Sequence, residues 1–314
     1  MSSKNPHNHQ LTLHWYSRLM NWYRWNDAVQ IPFFNPAARL ALGAKQVVDK
    51  WQTDRFCANK TTELEQWLHN TQFFFVFSSP RSGTVFLTDL FLNTAQYAHI
   101  EHEANIVDYP AFARAIQHPQ DAYCYINDFR LKDMFKRAYT KKMPIYGEIN
   151  PFLALHCAAI GAALPAAKQF HLVKDGRSVV RSMFSRTKLG AKDPMSKPIF
   201  PPPNDPYSDK WQHLTRFERL CWQWQFENRF MRQHIPTQNR LYFELLSKDY
   251  DYFKTQLLDP LGLQISANVW QDYVNTPKNE SAVYRMPHHT QWTPEDKRRF
   301  EQICGEEMSM YEWQ

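Results

Sequence analysis

From Phe73 to Phe77 the chain is apolar without interruption, and from Phe170 to Val173 it is apolar again but for His171. Runs of this length bounded by turn residues predict buried strands. After each run and a short loop, the apolar residues shift to helical spacing: Phe86, Leu87, Leu90 and Phe91 in the first case, Val179, Val180, Met183 and Phe184 in the second. The chain therefore predicts strand, turn and helix twice. Weaker patterns predict a short strand from Tyr97 to Ile100, a helix from Trp211 to Arg232, a strand from Leu241 to Phe243 turning into a helix, and a last helix from Pro294 to about Met310. Trp15, Tyr16, Leu19, Trp22 and Trp25 stand at near-helical spacing. They read as a packing face, as the lining of an acceptor pocket, or as a contact with a membrane surface. From Lys192 to Pro206 the prolines, among them Pro201, Pro202 and Pro203, predict an irregular loop or lid. The expected architecture is α/β: a mainly parallel central sheet flanked by helices, with an aromatic-rich helical extension over residues 1–70 packed on an α/β domain over residues 71–314.

The first junction carries chemistry. Pro80, Arg81, Ser82 and Gly83 lie between strand and helix, where the leading N–H groups of the helix lack partners and its dipole favours an anion. Arg81 adds a positive fork, Ser82 and Thr84 add hydroxyls, and Gly83 lets the main chain approach a ligand. The loop is read as a holder of phosphate or sulfate. The nucleoside-triphosphate loop reads GxxxxGK followed by Ser or Thr, its Lys reaching the phosphates and its hydroxyl holding magnesium. Here Ser78 takes the place of the first Gly, Thr84 that of Lys, and Val85 that of the hydroxyl residue.

The run Pro80 to Val85 resembles the PRSGTT loop of the sulfotransferase family. The second junction makes the resemblance more specific. That family follows a strand with RDxRDVVxS, and this chain has Lys174, Asp175, Gly176, Arg177, Ser178, Val179, Val180, Arg181 and Ser182. A basic residue at a strand tip and a serine two helical turns later can face one dianion. Lys174 in place of Arg keeps the charge and loses the bidentate fork. The stretch from Leu241 resembles the family's late yEdL segment, with Glu244 in the acidic position, and the C-terminal helix after Trp292 also resembles family members. The resemblance runs from about residue 71 to the end and implies a P-loop-like three-layer sandwich. It implies 3′-phosphoadenosine 5′-phosphosulfate (PAPS) as donor, held by Arg81, Ser82, Gly83, Thr84, Val85, Lys174, Ser182 and Arg285, with no metal. A hydroxyl on a glycan or small metabolite is the expected acceptor.

Sulfuryl transfer needs a base for the acceptor hydroxyl and a positive group for charge gathering on the departing phosphate. Arg81 stands where the family has a stabilising Lys or Arg. Glu103 aligns with a glutamate that tyrosine- and sugar-directed relatives use as base, and the neighbouring His102 can accept a proton at neutral pH. The alternative for this pair is a solvated strand end. Where many relatives have GDKTP this chain has Gly147, Glu148, Ile149, Asn150 and Pro151, so the lysine is absent. Glu148 is then a base, an acceptor ligand, or a buried carboxylate paired with a basic residue. His288 and His289 beside Arg285 show no third ligand at matching spacing and read as a polar loop.

Composition narrows the classes. A chain of 314 residues, 43% hydrophobic, can bury a large core as one domain. It has no apolar run long enough to span a bilayer and no signal-peptide pattern, so a cytoplasmic form, or one trimmed of an anchor, is expected. Five cysteines without CxxC spacing argue for reduced thiols. The net charge of +6 is spread rather than clustered, which disfavours nucleic-acid binding and suits a multiply charged donor. Aromatic residues, at 15%, fit a sugar or an apolar acceptor equally. Two rivals remain: an ATP- and magnesium-dependent phosphotransferase or NTPase, in which Asp175 would orient the metal, and a nucleotide-binding protein without turnover.

Overall fold

The structure, a computed structural model, describes residues 36–105, 107–186, 199–276 and 285–311, with side chains from residue 47 onward. Trp15 to Trp25 and the first part of the proline-rich loop lie outside the described residues. In chain order, helices α1 (Pro36–Ala58) and α2 (Thr61–Asn70) precede β1 (Gln72–Phe77), α3 (Thr84–Thr94) and β2 (Ala98–Glu101). Next come α4 (Asp108–Gln117), α5 (Gln120–Tyr125), α6 (Leu131–Ala138), β3 (Ile145–Ile149), α7 (Cys157–Ala163), β4 (Lys168–Val173) and α8 (Gly176–Arg186). The chain continues through α9 (Arg216–His234), β5 (Arg240–Tyr242), α10 (Ala267–Val274) and α11 (Pro294–Ser309).

The five strands form one sheet in the order β2-β3-β1-β4-β5, every pair parallel. Parallel pairing requires a crossover between consecutive strands, and these cover both faces of the sheet. Alternate side chains of β1 sort the faces. Phe73, Phe75 and Phe77 join a core with Val179, Val180 and Met183 of α8 and Leu220, Trp222 and Trp224 of α9. Phe74 and Val76 join a second core with Leu87, Leu90 and Phe91 of α3 and Trp270 of α10. The result is three layers, helix on sheet on helix, with the apolar run of β1 in the middle.

A glycine seats one of these rings. Gly147 of β3 lies opposite Phe74 in the register, and a Cβ placed there would stand 2.1 Å from Phe74 Cζ. Before the sheet, Trp67 of α2 packs edge-on against Phe73 at 4.8 Å between centroids, holding α2 to the core.

The expected helix from Trp211 is divided. Trp211–His213 is a 3-10 turn, and α9 begins at Arg216 behind a capping box in which Thr215 accepts from the Glu218 N–H and Glu218 reaches back to the Thr215 N–H. The capped helix end fixes where the long helix starts, a local signal that its apolar periodicity overrode. The strand expected to end at Phe243 ends at Tyr242, and Phe243 opens a helical turn. Residues 199–203 of the proline-rich loop are irregular, as expected.

Candidate active site

Because all strands are parallel, their C-terminal ends lie along one edge, the usual place for a ligand in an open α/β sheet. β1 delivers the first loop to the middle of that edge. Ser78, Ser79 and Ser82 are buried there. Gly83, with φ at +98°, caps α3 in the left-handed region, so the N–H groups of Thr84 and Val85 open the helix with no intrahelical partner. Arg81 also holds a positive φ of 73°, one of three such non-glycine residues among those described, and Glu103 is another. Such conformations concentrate at functional sites. The Ser82 and Ser79 hydroxyls stand 3.1 Å apart. Asn228 of α9 donates to Ser79 Oγ at 3.4 Å and accepts from His171 Nε2 of β4 at 3.0 Å. Ser78 Oγ is buried with no hydrogen-bond partner among the described residues.

The second loop begins on the adjoining strand, β4, and meets the first. Arg81 Nε donates to Ser182 Oγ at 3.0 Å, although the two are 101 residues apart. This bond leaves the Ser182 hydroxyl hydrogen available to a ligand. Lys174, at the end of β4, places Nζ 4.4 Å over the ring of Phe243. The same ring closes on the first loop: a Cβ at Gly83 would stand 2.0 Å from Phe243 Cε2. Asp175 receives Arg177 through Nε at 3.0 Å and Nη2 at 2.8 Å. Glu244 Oε1 accepts from the Asp175 N–H at 3.2 Å, and burial pushes the Glu244 carboxyl above its usual range. The segment holding Arg285 is tied to α8, its N–H donating to Ser185 Oγ at 3.1 Å, while Arg181 Nε donates to the Met286 carbonyl at 3.1 Å. The Arg285 side chain itself is exposed.

The third group lies beyond β3, at the end of β2. His102 Nδ1 lies 2.5 Å from the Ile149 carbonyl, and His102 Nε2 lies 3.9 Å from Glu103 Oε1. A carbonyl only accepts, so Nδ1 is the donor of this bond, and Nε2 faces the Glu103 side. Two strand spacings, about 10 Å, separate the end of β2 from that of β1.

Glu148 occupies different surroundings. It is 1% exposed, accepts from Arg130 Nη2 at 2.5 Å, from Tyr146 OH at 3.1 Å and from Asn150 Nδ2 at 2.9 Å. Burial pushes its carboxyl up, against the pull of Arg130. Of the three readings of Glu148, the structure shows the buried carboxylate paired with a basic residue. With no open face, it is badly placed to reach an acceptor.

No family model matches the chain, and no curated protein does. Among solved structures, the sulfotransferase STF9 of Mycobacterium avium shares 11% identity over 84% of this chain and 82% of its own, with a TM-score of 0.49. The sulfotransferase domain of the olefin synthase of Synechococcus PCC 7002 shares 13% identity over 78% of this chain and 96% of its own, at 0.42. Mouse sulfotransferase SULT7A1, complexed with PAP, shares 11% over 79% and 94%, at 0.38. Scores this low carry no argument, and the chemistry rests on the residues of this chain.

Sequence reasoning found both loops because each is contiguous. It missed the parts that come from afar: Asn228 and His171 beneath Ser79, and the ring of Phe243 between Gly83 and Lys174. Phe243 sat in a segment already singled out, and its position beside Glu244 was the available signal. Asn228 carried none, being one polar residue in a long helix.

Proposed function

We propose that the protein transfers a sulfuryl group from PAPS to a hydroxyl acceptor. The observation that carries this reading is the Arg81–Ser182 bond at 3.0 Å, which joins two anion-binding loops into one site along adjoining strands. A donor with phosphate groups at both ends of an adenosine asks for two such loops. The residues fit it: buried Ser82, the left-handed Gly83 and the N-terminus of α3 suit the 5′ end, and Lys174 with Ser182 suits the 3′-phosphate. Thr84 and Val85 stand where a triphosphate loop needs Lys and a magnesium-binding hydroxyl.

The donor supplies the sulfuryl group, and the chain's residues do the rest. Arg81 neutralises charge that gathers on the bridging oxygen of the departing phosphate. The N–H groups of Thr84 and Val85 hold the 5′ end. At the other half of the edge, His102 Nε2 takes the acceptor proton, and Glu103 stabilises the imidazolium that results. Tyr109 and Phe152, half-buried and edge-to-face at 5.3 Å, follow β2 and β3 and offer an aromatic wall for a sugar or other small ring. The five free cysteines suit a reducing cytoplasm.

Calorimetric titration with adenosine 3′,5′-bisphosphate and separately with ADP, both without magnesium, tests the reading. Tighter binding of the bisphosphate is expected. An equal or reversed preference overturns it and puts the phosphotransferase first.

A further inference from the structure

Arg130 takes no part in the chemistry above, yet it is fully buried among three carboxylates. Its Nε donates to Asp108 Oδ1 at 2.8 Å, its Nη1 to Asp133 Oδ2 at 3.3 Å, and its Nη2 to Asp108 Oδ2 at 3.3 Å and to Glu148 Oε1 at 2.5 Å. A buried ion cluster is weak support for stability, since well-packed apolar residues of the same volume do as well or better. Its geometry offers another role.

The carboxylates around Arg130 hold two asparagines. Asp133 Oδ2 accepts from Asn105 Nδ2 at 2.9 Å, and Asn105 Oδ1 accepts from the Val107 N–H at 2.9 Å, so the segment after Glu103 is fastened to the cluster. Asp108 Oδ2 and Glu148 Oε1 both accept from Asn150 Nδ2 at 2.9 Å, and Asn150 Oδ1 accepts from the Phe152 N–H at 2.9 Å. Asn150 directly follows Ile149, whose carbonyl faces His102 Nδ1. The two backbone segments that meet in the His102–Ile149 bond are therefore both anchored on one guanidinium. Arg137 extends the cluster toward His102, donating to Asp133 Oδ2 at 2.9 Å and standing 4.0 Å from Glu101 Oε2.

From this arrangement we infer that Arg130 is a positioning residue, which fixes His102 as the tautomer protonated on Nδ1 and so leaves Nε2 as the proton acceptor. Free imidazole side chains favour the opposite tautomer, and which nitrogen holds the proton in a protein is set by what the other one meets. Only the destination of the acceptor proton rests on the sulfuryl-transfer reading. The tautomer does not.

The test is the nitrogen NMR spectrum of the His102 ring in the full chain without ligand, assigned by the signal lost in His102→Gln. In the wild type, Nδ1 should be protonated and Nε2 bare. Arg130→Lys, which keeps the charge and loses the fork, should bring in the Nε2-protonated form. Asn105→Ala cuts only the link to the segment after Glu103, leaves no charge unpaired, and should do the same in part. If Arg130→Lys does not fold, Asn105→Ala decides. Turnover should fall about tenfold or more in these variants, with the KM for PAPS unchanged. A wild-type signal protonated on Nε2, or variants that lose turnover while keeping the wild-type tautomer, overturns the inference. A wild-type protein that transfers no sulfuryl group overturns the proposed reaction instead and leaves the ring signals to be judged alone.

Discussion

Gly83 holds φ at +98°, and a side chain there would begin 2.0 Å from Phe243 Cε2. Both facts forbid alanine without a shift of the loop. Gly83→Ala is expected to lower affinity for adenosine 3′,5′-bisphosphate about tenfold through strain of the order of 1–2 kcal/mol, read by calorimetric titration; unchanged affinity would show that the loop is not where the nucleotide sits. Ser182 is a sharper probe, because its hydroxyl bonds Arg81 within the protein and faces the 3′ end in the proposed complex. Ser182→Ala should weaken the bisphosphate by about 1–1.5 kcal/mol and ADP, which meets the serine only through Arg81, by clearly less. Equal losses for the two nucleotides would place the serine elsewhere. That Arg81, Ser82, Gly83, Lys174 and Ser182 lie in two strand–turn–helix segments could be read from the sequence, since each segment is short and contiguous. His102 could be named but not oriented, because its tautomer depends on the Ile149 carbonyl, which lies 47 residues on.

At the scale of elements, β1 decides most of the packing, and five adjacent apolar residues divide cleanly between two cores. An unbroken apolar run announces a strand buried on both faces, which is why the layered fold was legible before any contact was known. Gly147 was not legible in the same way, because nothing in the sequence says that a phenyl ring from the next strand lies over it. Gly147→Ala forces Phe74 off its place, 2.1 Å from the new carbon, and should cost about 1–3 kcal/mol in a denaturant titration. A neutral result would mean that the two strands part easily. The start of α9 was missed for a related reason: the apolar period runs through Trp211, and only the Thr215–Glu218 pair marks the true beginning.

For the whole molecule, the buried titratable groups set how stability follows pH. Burial pushes Glu227 from an ordinary 4.5 to about 8, with Gln223 Nε2 at 2.7 Å its one hydrogen-bond partner among the described residues. Between those values the folded protein keeps a proton that the unfolded chain has released, so stability falls as pH rises. Glu148 acts in the same sense. Burial drives His156 and His171 down from 6.5 to about 4, so there the unfolded chain holds the extra protons and stability rises with pH. The two trends oppose each other up to about pH 6.5, above which only the carboxyl trend continues. Stability should therefore decline from about pH 6.5 to 8. Glu227→Gln should flatten that limb and raise Tm at alkaline pH by about 3 °C or more, with little change at pH near 5, where the wild-type carboxyl is already protonated. A decline that survives the substitution would assign it to other groups.

The hydrogen bond between Arg81 and Ser182 makes the two halves of the proposed site partners in one equilibrium. Whatever orders one loop lowers the conformational entropy still to be lost by the other. Adenosine 3′-phosphate and inorganic sulfate, each able to fill only one half, should then assist one another when offered together. Reciprocity requires the gain to be the same whichever is added first, and in the proposed reaction an intact donor should then bind more tightly than its two ends would if each met an independent loop.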